Sequence, residues 1–191
     1  MFDNKITYIF FANSDKNCYN LCIDRRYFSM SKVLIISDTH FFRKAQLIKY
    51  LSDFNDIDHI IHCGDIYVGY KDGDIPNLHI CKGNNDFAQL PFIDHFEIDN
   101  IKFTTTHGHI NSYAYKPDTL TELLDEYPSD VICFGHTHIP YIKEYDNLLI
   151  LNPGSLVLSR TSPKVNTYVI FDTTTKKASF HDALTHEIIH I

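Results

Sequence analysis

One pattern, repeated along the chain, restricts it more than any other feature: a short apolar run ends abruptly in residues that bind protons or metals. Val33-Leu34-Ile35-Ile36 stops at Ser37-Asp38-Thr39-His40, and His59-Ile60-Ile61-His62-Cys63 stops at Gly64-Asp65. Leu78-His79-Ile80-Cys81 leads to Gly83-Asn84-Asn85-Asp86, Phe103-Thr104-Thr105-Thr106 to His107-Gly108-His109, and Val131-Ile132-Cys133-Phe134 to Gly135-His136-Thr137-His138. Short, largely β-branched runs of this kind read as buried strands. In an open α/β sheet the loops at the carboxyl ends of strands escape the packing that holds the strand interior, so function collects there. The pattern predicts one site assembled from several strand ends.

The segments between the strands fit such a sheet. Residues 41–54 carry Ala45, Leu47, Ile48, Leu51 and Phe54 at a helical period. Residues 66–77 hold Gly69, Gly73 and Pro76 and read as a loop. Residues 92–98 and 101–106 flank Asp99-Asn100, which predicts a hairpin. Pro117 opens and Pro128 closes a second expected helix through Leu120, Leu123 and Leu124. Beyond Ile139, short strands at 141–145, 148–151, 167–171 and 177–184 read as a meander. A β-α-β first half followed by a meander predicts an α/β fold in which two sheets pack together with helices outside. Residues 1–29 lack the pattern, and Met30-Ser31-Lys32 is a natural beginning for a compact domain. We therefore expect a peripheral extension over 1–29, disordered, loosely attached or the product of an upstream start, and a single domain over 30–191.

Bulk properties narrow the function. A chain of 191 residues that is 44% hydrophobic can bury one substantial core. Its net charge of −7 argues against a broad basic face gripping long nucleic acid. A phosphate substrate stays open where metal ions supply positive charge locally. Cysteines number five, an odd count, and Cys63, Cys81 and Cys133 fall in the apolar runs, where a free thiol behaves as a small hydrophobe. A reducing, cytoplasmic setting fits that usage. Cys18 and Cys22 lack the second thiolate pair that a structural zinc site needs. No apolar run approaches the roughly 20 residues that span a bilayer, so no membrane association is expected.

Collected at the strand ends are Asp38, His40, Asp65, Asn84, His107, His136 and His138. This nitrogen and oxygen set, without thiolates, suits divalent first-row metals. It is too large for one tetrahedral ion, whereas two ions roughly 3.5–4 Å apart around a shared carboxylate use it well. In an extended segment i and i+2 point the same way, so Asp38 with His40, and His136 with His138, can each aim two ligands into one cavity. Gly64, Gly83, Gly108 and Gly135 adjoin these ligands, where the backbone must turn or approach closely. Each motif alone is ordinary turn chemistry, and only the ordered set is hard to explain as turns. His59, His62, His79, His95, His181, His186 and His190 have no glycine partner and read as structural; Arg160 reads as a solvated surface cation.

In order, Asp38-x-His40, Gly64-Asp65, Gly83-Asn84-x-Asp86, His107-Gly108-His109 and Gly135-His136-x-His138 resemble the calcineurin-like metallophosphoesterase superfamily. The compact size and Asn152-Pro153-Gly154-Ser155 are similar to its small YfcE-like phosphodiesterase branch, over residues 30 to about 184. The resemblance implies a four-layer α/β/β/α sandwich of two mixed sheets flanked by helices, with a dinuclear site at one edge. It assigns one metal to Asp38, His40, Asp65 and His138 and the other to Asp65, Asn84, His107 and His136, with Asp65 bridging. Manganese is the first expectation, and nickel, iron or zinc also suit the donors.

The implied activity is hydrolysis of small phosphate esters, preferentially phosphodiesters, by a hydroxide held between the two ions, with Asp65 and Asn84 at the reaction centre. Many relatives place a histidine directly after the metal-binding asparagine, where it protonates the leaving oxygen. Here that position is Asn85, which has no titratable proton, and His109 or a metal-bound water is expected to substitute. Acidic leaving groups should therefore be preferred over alkyl monoesters. Asp86 is expected to orient a ligand without reacting itself. Two other readings stay open, a non-catalytic metal-binding interaction scaffold of the same fold and a small-nucleotide-specific hydrolase. Exposed strand edges in the second half also predict a homodimer.

Overall fold

Alternation along β1 (Lys32–Ile36) sets up the layers. Val33 and Ile35 point into a core shared with Phe103, Cys133 and Leu151 of a second sheet, while Leu34 and Ile36 point the other way, into a cluster with Leu47 of the helix α1 (Lys44–Leu51). This is a computed structural model, and it describes residues 31–191; the extension expected over 1–29, with Cys18 and Cys22, lies outside the described residues.

Following β1 in the chain are β2 (His59–His62), β3 (Leu78–Ile80), β4 (Ile93–Ile98), β5 (Ile101–Thr106), β6 (Val131–Phe134), β7 (Tyr141–Tyr145), β8 (Leu148–Asn152), β9 (Thr167–Asp172), β10 (Lys177–Asp182) and β11 (Ile188–Ile189). One sheet has the order β11-β10-β9-β1-β2-β3 and the other β4-β5-β6-β8-β7. β1 pairs parallel with β2 and β2 with β3; β6 pairs parallel with both β5 and β8; the remaining pairs are antiparallel. Outside the second sheet, Leu120 and Leu123 pack with Ile132, Phe134 and Ile150. The result is the four-layer α/β/β/α sandwich of two mixed sheets that the resemblance implied. Every parallel strand carries its carboxyl end to the same edge of its sheet, where the polar clusters follow.

Four local expectations change. The segment at 41–54 is helical only over Lys44–Leu51, because the backbone of Asp38 and Thr39 is bound to the β2 loop and Phe42 closes a turn back onto Thr39. The second helix is a 3₁₀ segment, Pro117–Asp125, preceded by another at Ile110–Tyr115. Its buried residues Leu120 and Leu123 stand three apart, the spacing that eclipses on a 3₁₀ helix, and the Thr119 and Thr121 hydroxyls donate to carbonyls three residues back. The expected meander is divided between sheets: β7–β8 close the second sheet, whereas β9 and β10 cross to β1 in the first. β11, two residues long, was not anticipated. The β4–β5 hairpin is as expected, with Asp99 and Asn100 both left-handed (φ +51° and +62°), as a two-residue turn matching strand twist requires.

Candidate metal centre

The loops after β1, β2, β3, β5 and β6 converge at one edge and bring all seven expected ligands together. Asp38 Oδ1 lies 3.1 Å from His138 Nε2 and 3.6 Å from His40 Nε2, and those two ring nitrogens are 3.2 Å apart. Asn84 Oδ1 lies 3.1 Å from His107 Nε2 and 2.9 Å from His136 Nδ1. Between the two groups stands Asp65, its Oδ2 3.6 Å from His40 Nε2 and 3.4 Å from His107 Nε2. Two sets of donor atoms lie within 4.8 Å of one another and could share an ion: Asp38, His40 and His138, and Asp38, Asp65 and His107.

The backbone is bent sharply to achieve this. Asp38 and Asp65 (φ +55° each), His136 (+70°) and His138 (+61°) occupy the left-handed region, which costs a β-carbon-bearing residue energy and persists where the surroundings over-determine it. Asp38 N–H donates to Gly64 O and Thr39 N–H to Asp65 O, which locks the β1 and β2 loops together. Asp86 acts from outside the cluster, its carboxylate accepting the backbone N–H groups of Gly83, Asp65 and Ile66 at 2.8–2.9 Å. Two glycines permit the close approach: a β-carbon at Gly83 would lie 2.1 Å from Asp65 Oδ1, and one at Gly135 would lie 2.2 Å from Ser37 Oγ and 3.0 Å from Asp38 Oδ2.

Protonation follows from burial and pairing. Burial by itself would raise the Asp38 carboxyl, yet its contacts with His138 and His40 and the charge of His107 hold it well below the usual carboxylate range. The same competition leaves Asp65 at about 2, with His107 and Asn85 as the opposing partners. His107 is lowered by burial but lifted further by Asp65 and Asp38, to about 9. His136 is lowered, by burial and then by His107. The ring orientations are held from behind, with Nδ1 of His107 2.7 Å from Cys63 O and Nδ1 of His138 2.7 Å from Leu158 O. In each ring that contact keeps the proton on Nδ1 and turns Nε2 to the cluster. Asp38 Oδ1 is buried with no hydrogen-bond partner, although Oδ2 accepts from Ser37 Oγ and His136 N. A buried anionic oxygen ringed by imidazole nitrogens fits a divalent cation, and the hard and borderline donors fit a first-row ion.

A cavity of about 290 Å³ opens on the cluster, lined by His40, Asp65, Asn84, His136 and His138 together with Phe41, Asn85, Leu158 and Arg160. Arg160, read from sequence as a solvated cation, is exposed but stands at this mouth, anchored by its N–H to His138 O. His109 is not part of the lining; its ring centre is 5.4 Å from that of His107 and its Nδ1 is buried without a partner. His62, set aside as structural, is fully buried beneath the β1 loop with Nε2 3.0 Å from Thr39 Oγ1, and burial pushes its pKa down to about 3. Tyr115 escaped notice in the sequence. Its hydroxyl lies 3.3 Å from His136 Nε2, but it sits in a 3₁₀ segment with no periodicity to mark it. Asn152 donates to Gly135 O and Thr137 Oγ1, and so braces the loop that carries His136 and His138.

The fold and the site together define an α/β sandwich with a candidate divalent-metal centre at the carboxyl edge of its two sheets. The model of the calcineurin-like phosphoesterase superfamily domain matches residues 31–176, and the chain belongs to that superfamily. Members of the family use a dinuclear divalent metal site. A probable metallophosphoesterase of Methanocaldococcus jannaschii is 37% identical over 131 residues, 66% of this chain and 68% of the relative. The probable metallophosphoesterase YsnB of Bacillus subtilis is 31% identical over 160 residues, 82% and 94% of the two chains. Among solved structures, the E. coli phosphoesterase YfcE superposes with a TM-score of 0.60 at 18% identity, covering 83% of this chain and 97% of its own. Vps29 of Entamoeba histolytica, solved with zinc, superposes at 0.65 with 20% identity, covering 83% and 96%. At these identities the structural neighbours speak for the fold alone. No helix among the described residues is long and apolar enough to cross a membrane.

Proposed function

We propose that this chain is a metal-dependent phosphodiesterase acting on small phosphate esters, with Asp38, His40, Asp65 and His138 holding one divalent ion and Asp65, Asn84, His107 and His136 a second. The observation that carries the reading is Asp65 standing between the His40 and His107 rings, beside an Asp38 oxygen that is buried without a hydrogen-bond donor. When bound, such ions neutralise phosphoryl oxygens and lower the pKa of water. Manganese is our first choice, ahead of nickel, iron or zinc.

The chain's own groups set what esters it can use. Asn85 grips both Asp65 oxygens, its N–H donating to Oδ1 at 2.7 Å and its side-chain amide to Oδ2 at 2.6 Å, so it positions the carboxylate but brings no titratable proton. His109 is our choice for returning a proton to the leaving oxygen. Burial and the neighbouring His107 lower its pKa, so at neutral pH it is mostly unprotonated and a poor acid reservoir. Esters whose leaving groups depart without protonation are therefore the substrates of choice. The net charge of −7 disfavours long polynucleotides. Cys63, Cys81 and Cys133 are free and buried, which suits a reducing cytoplasm, and we expect two copies to pair through exposed strand edges.

The test is hydrolysis of bis(p-nitrophenyl) phosphate by purified protein, metal-stripped and then reloaded with manganese. Manganese-dependent turnover that disappears in Asp65→Ala supports the proposal; a reloaded protein that leaves the ester intact refutes it and favours a non-catalytic scaffold.

A further inference from the structure

Next to the ligand cluster the surface carries a small apolar patch. Phe87 is 87% exposed and Val68 79% exposed, two apolar side chains offered to water on separate loops. They line the same cleft, about 200 Å³ in volume, formed between the loop after Asp65 and the loop after Asn84. Asn85 lines both this cleft and the cavity over the ligand cluster, and it is the residue that grips Asp65. The two spaces thus adjoin each other at Asn85. The cleft is small for a whole ligand and of a size for one fragment of it. Its floor is firm, because Tyr67 and Tyr70 are buried and pack edge to face at 5.8 Å. Lys71 adds a cation to its lining.

A phosphodiester has two ester arms, and the cavity over the ligands accounts for the phosphoryl group and one of them. We propose that the Phe87 cleft receives the second arm and that this arm is a nucleoside, whose flat base stacks on the Phe87 ring against Val68. A planar aromatic group suits the cleft better than a sugar or short alkyl arm, which would leave both exposed apolar side chains uncovered. Stacking of this kind tolerates any base, since every base has a π-face. Phe87 and Val68 are then specificity-determining residues. The inference rests on the phosphodiesterase reading of the adjoining site and assigns its substrate class.

The experiment is calorimetric titration of the manganese-loaded protein with AMP and with ribose 5-phosphate, which differ only by the base. AMP should bind at least about tenfold more tightly, a stacking increment at the low end for one base on an aromatic side chain. That ratio should collapse towards one in Phe87→Ala and return in Phe87→Tyr. With Phe87 so exposed, neither change disturbs the core, and circular dichroism verifies the fold. Equal affinities for the two ligands, no measurable AMP binding, or an unchanged ratio in Phe87→Ala overturns the inference. Hydrolysis of bis(p-nitrophenyl) phosphate, followed in parallel, separates the two claims. Turnover with a ratio of one sinks only the nucleoside assignment, whereas an intact ratio without turnover supports the cleft and sinks only the hydrolase.

Discussion

Replacing Gly83 with alanine adds one methyl group at the most crowded contact of the cluster. The new β-carbon would lie 2.1 Å from Asp65 Oδ1 and 2.3 Å from Asp65 N, where ordinary contact begins at 3.4 Å. The neighbour is more than an ångström too close, and it is backbone and a held carboxylate, not the free end of a flexible chain. Gly83 does not have a left-handed φ, so the damage comes from contact and not from backbone strain. Overpacking of this sort costs about 1–3 kcal/mol. For a domain of this size that lowers the melting temperature by about 2–12 °C. The effect on metal is larger in proportion, since ligand positions tolerate only about 0.2 Å and Asp65 must move several times that. Manganese affinity should fall about 100-fold or more, with phosphodiester turnover following it. The assay is a metal titration and a thermal melt on the same preparation. Gly69→Ala serves as the comparison, because a β-carbon there meets nothing within 4 Å and the variant bears only the strain of φ +84°. Gly83→Ala with the parent's manganese affinity and melting temperature would show that Asp65 does not occupy this contact, and the construction of the site would be wrong.

Other consequences follow from the same residues. With His107 at about 9, the ring is protonated at neutral pH in the metal-free protein, so a divalent ion must displace that proton. Affinity should therefore rise about tenfold per pH unit up to about 9 from this group, with about one proton released per His107 engaged, measurable by calorimetry in buffers of different ionisation enthalpy. No pH dependence across that range refutes the assignment. The same raised pKa stabilises the metal-free fold fully below pH 6.5, and the benefit is lost as pH climbs through about 9. Asp86→Ala removes the acceptor of three backbone N–H groups and should cost about 1–3 kcal/mol in chemical unfolding, with weaker metal binding. A variant as stable as the parent would mean those donors find water instead. Asn85→His supplies the missing proton donor and should raise turnover of alkyl esters about 100-fold; equal rates in parent and variant would refute the handicap assigned to Asn85.

How much of this was legible in the sequence depended on the range of the physics. Apolar runs and turn residues are local signals, so the run Val33 to Ile36 could be read directly as a buried strand and Asp99-Asn100 as a hairpin turn, whereas the two layers that β1 faces, both apolar, could not be told apart. The ligand types were legible too, because an apolar run that ends in a carboxylate or an imidazole is written residue by residue. Where β7 to β10 go was not, since alternating patterns specify a half-buried strand but not which of two sheets will pair with it. The 3₁₀ geometry of Pro117–Asp125 was equally hidden, turning on which leucines meet β6. Convergence belongs to tertiary structure as well. Asp38 and His138 are 100 residues apart in sequence and 3.1 Å apart in space only because β1, β2, β5 and β6 end at one edge of two packed sheets. The cleft at Phe87 depends on loop placement alone, and no period in the chain announces it. What the sequence determined by itself was an inventory of strands and donors. The distances that make those donors a site came from non-local strand pairing, whose free energy no short stretch of chain encodes.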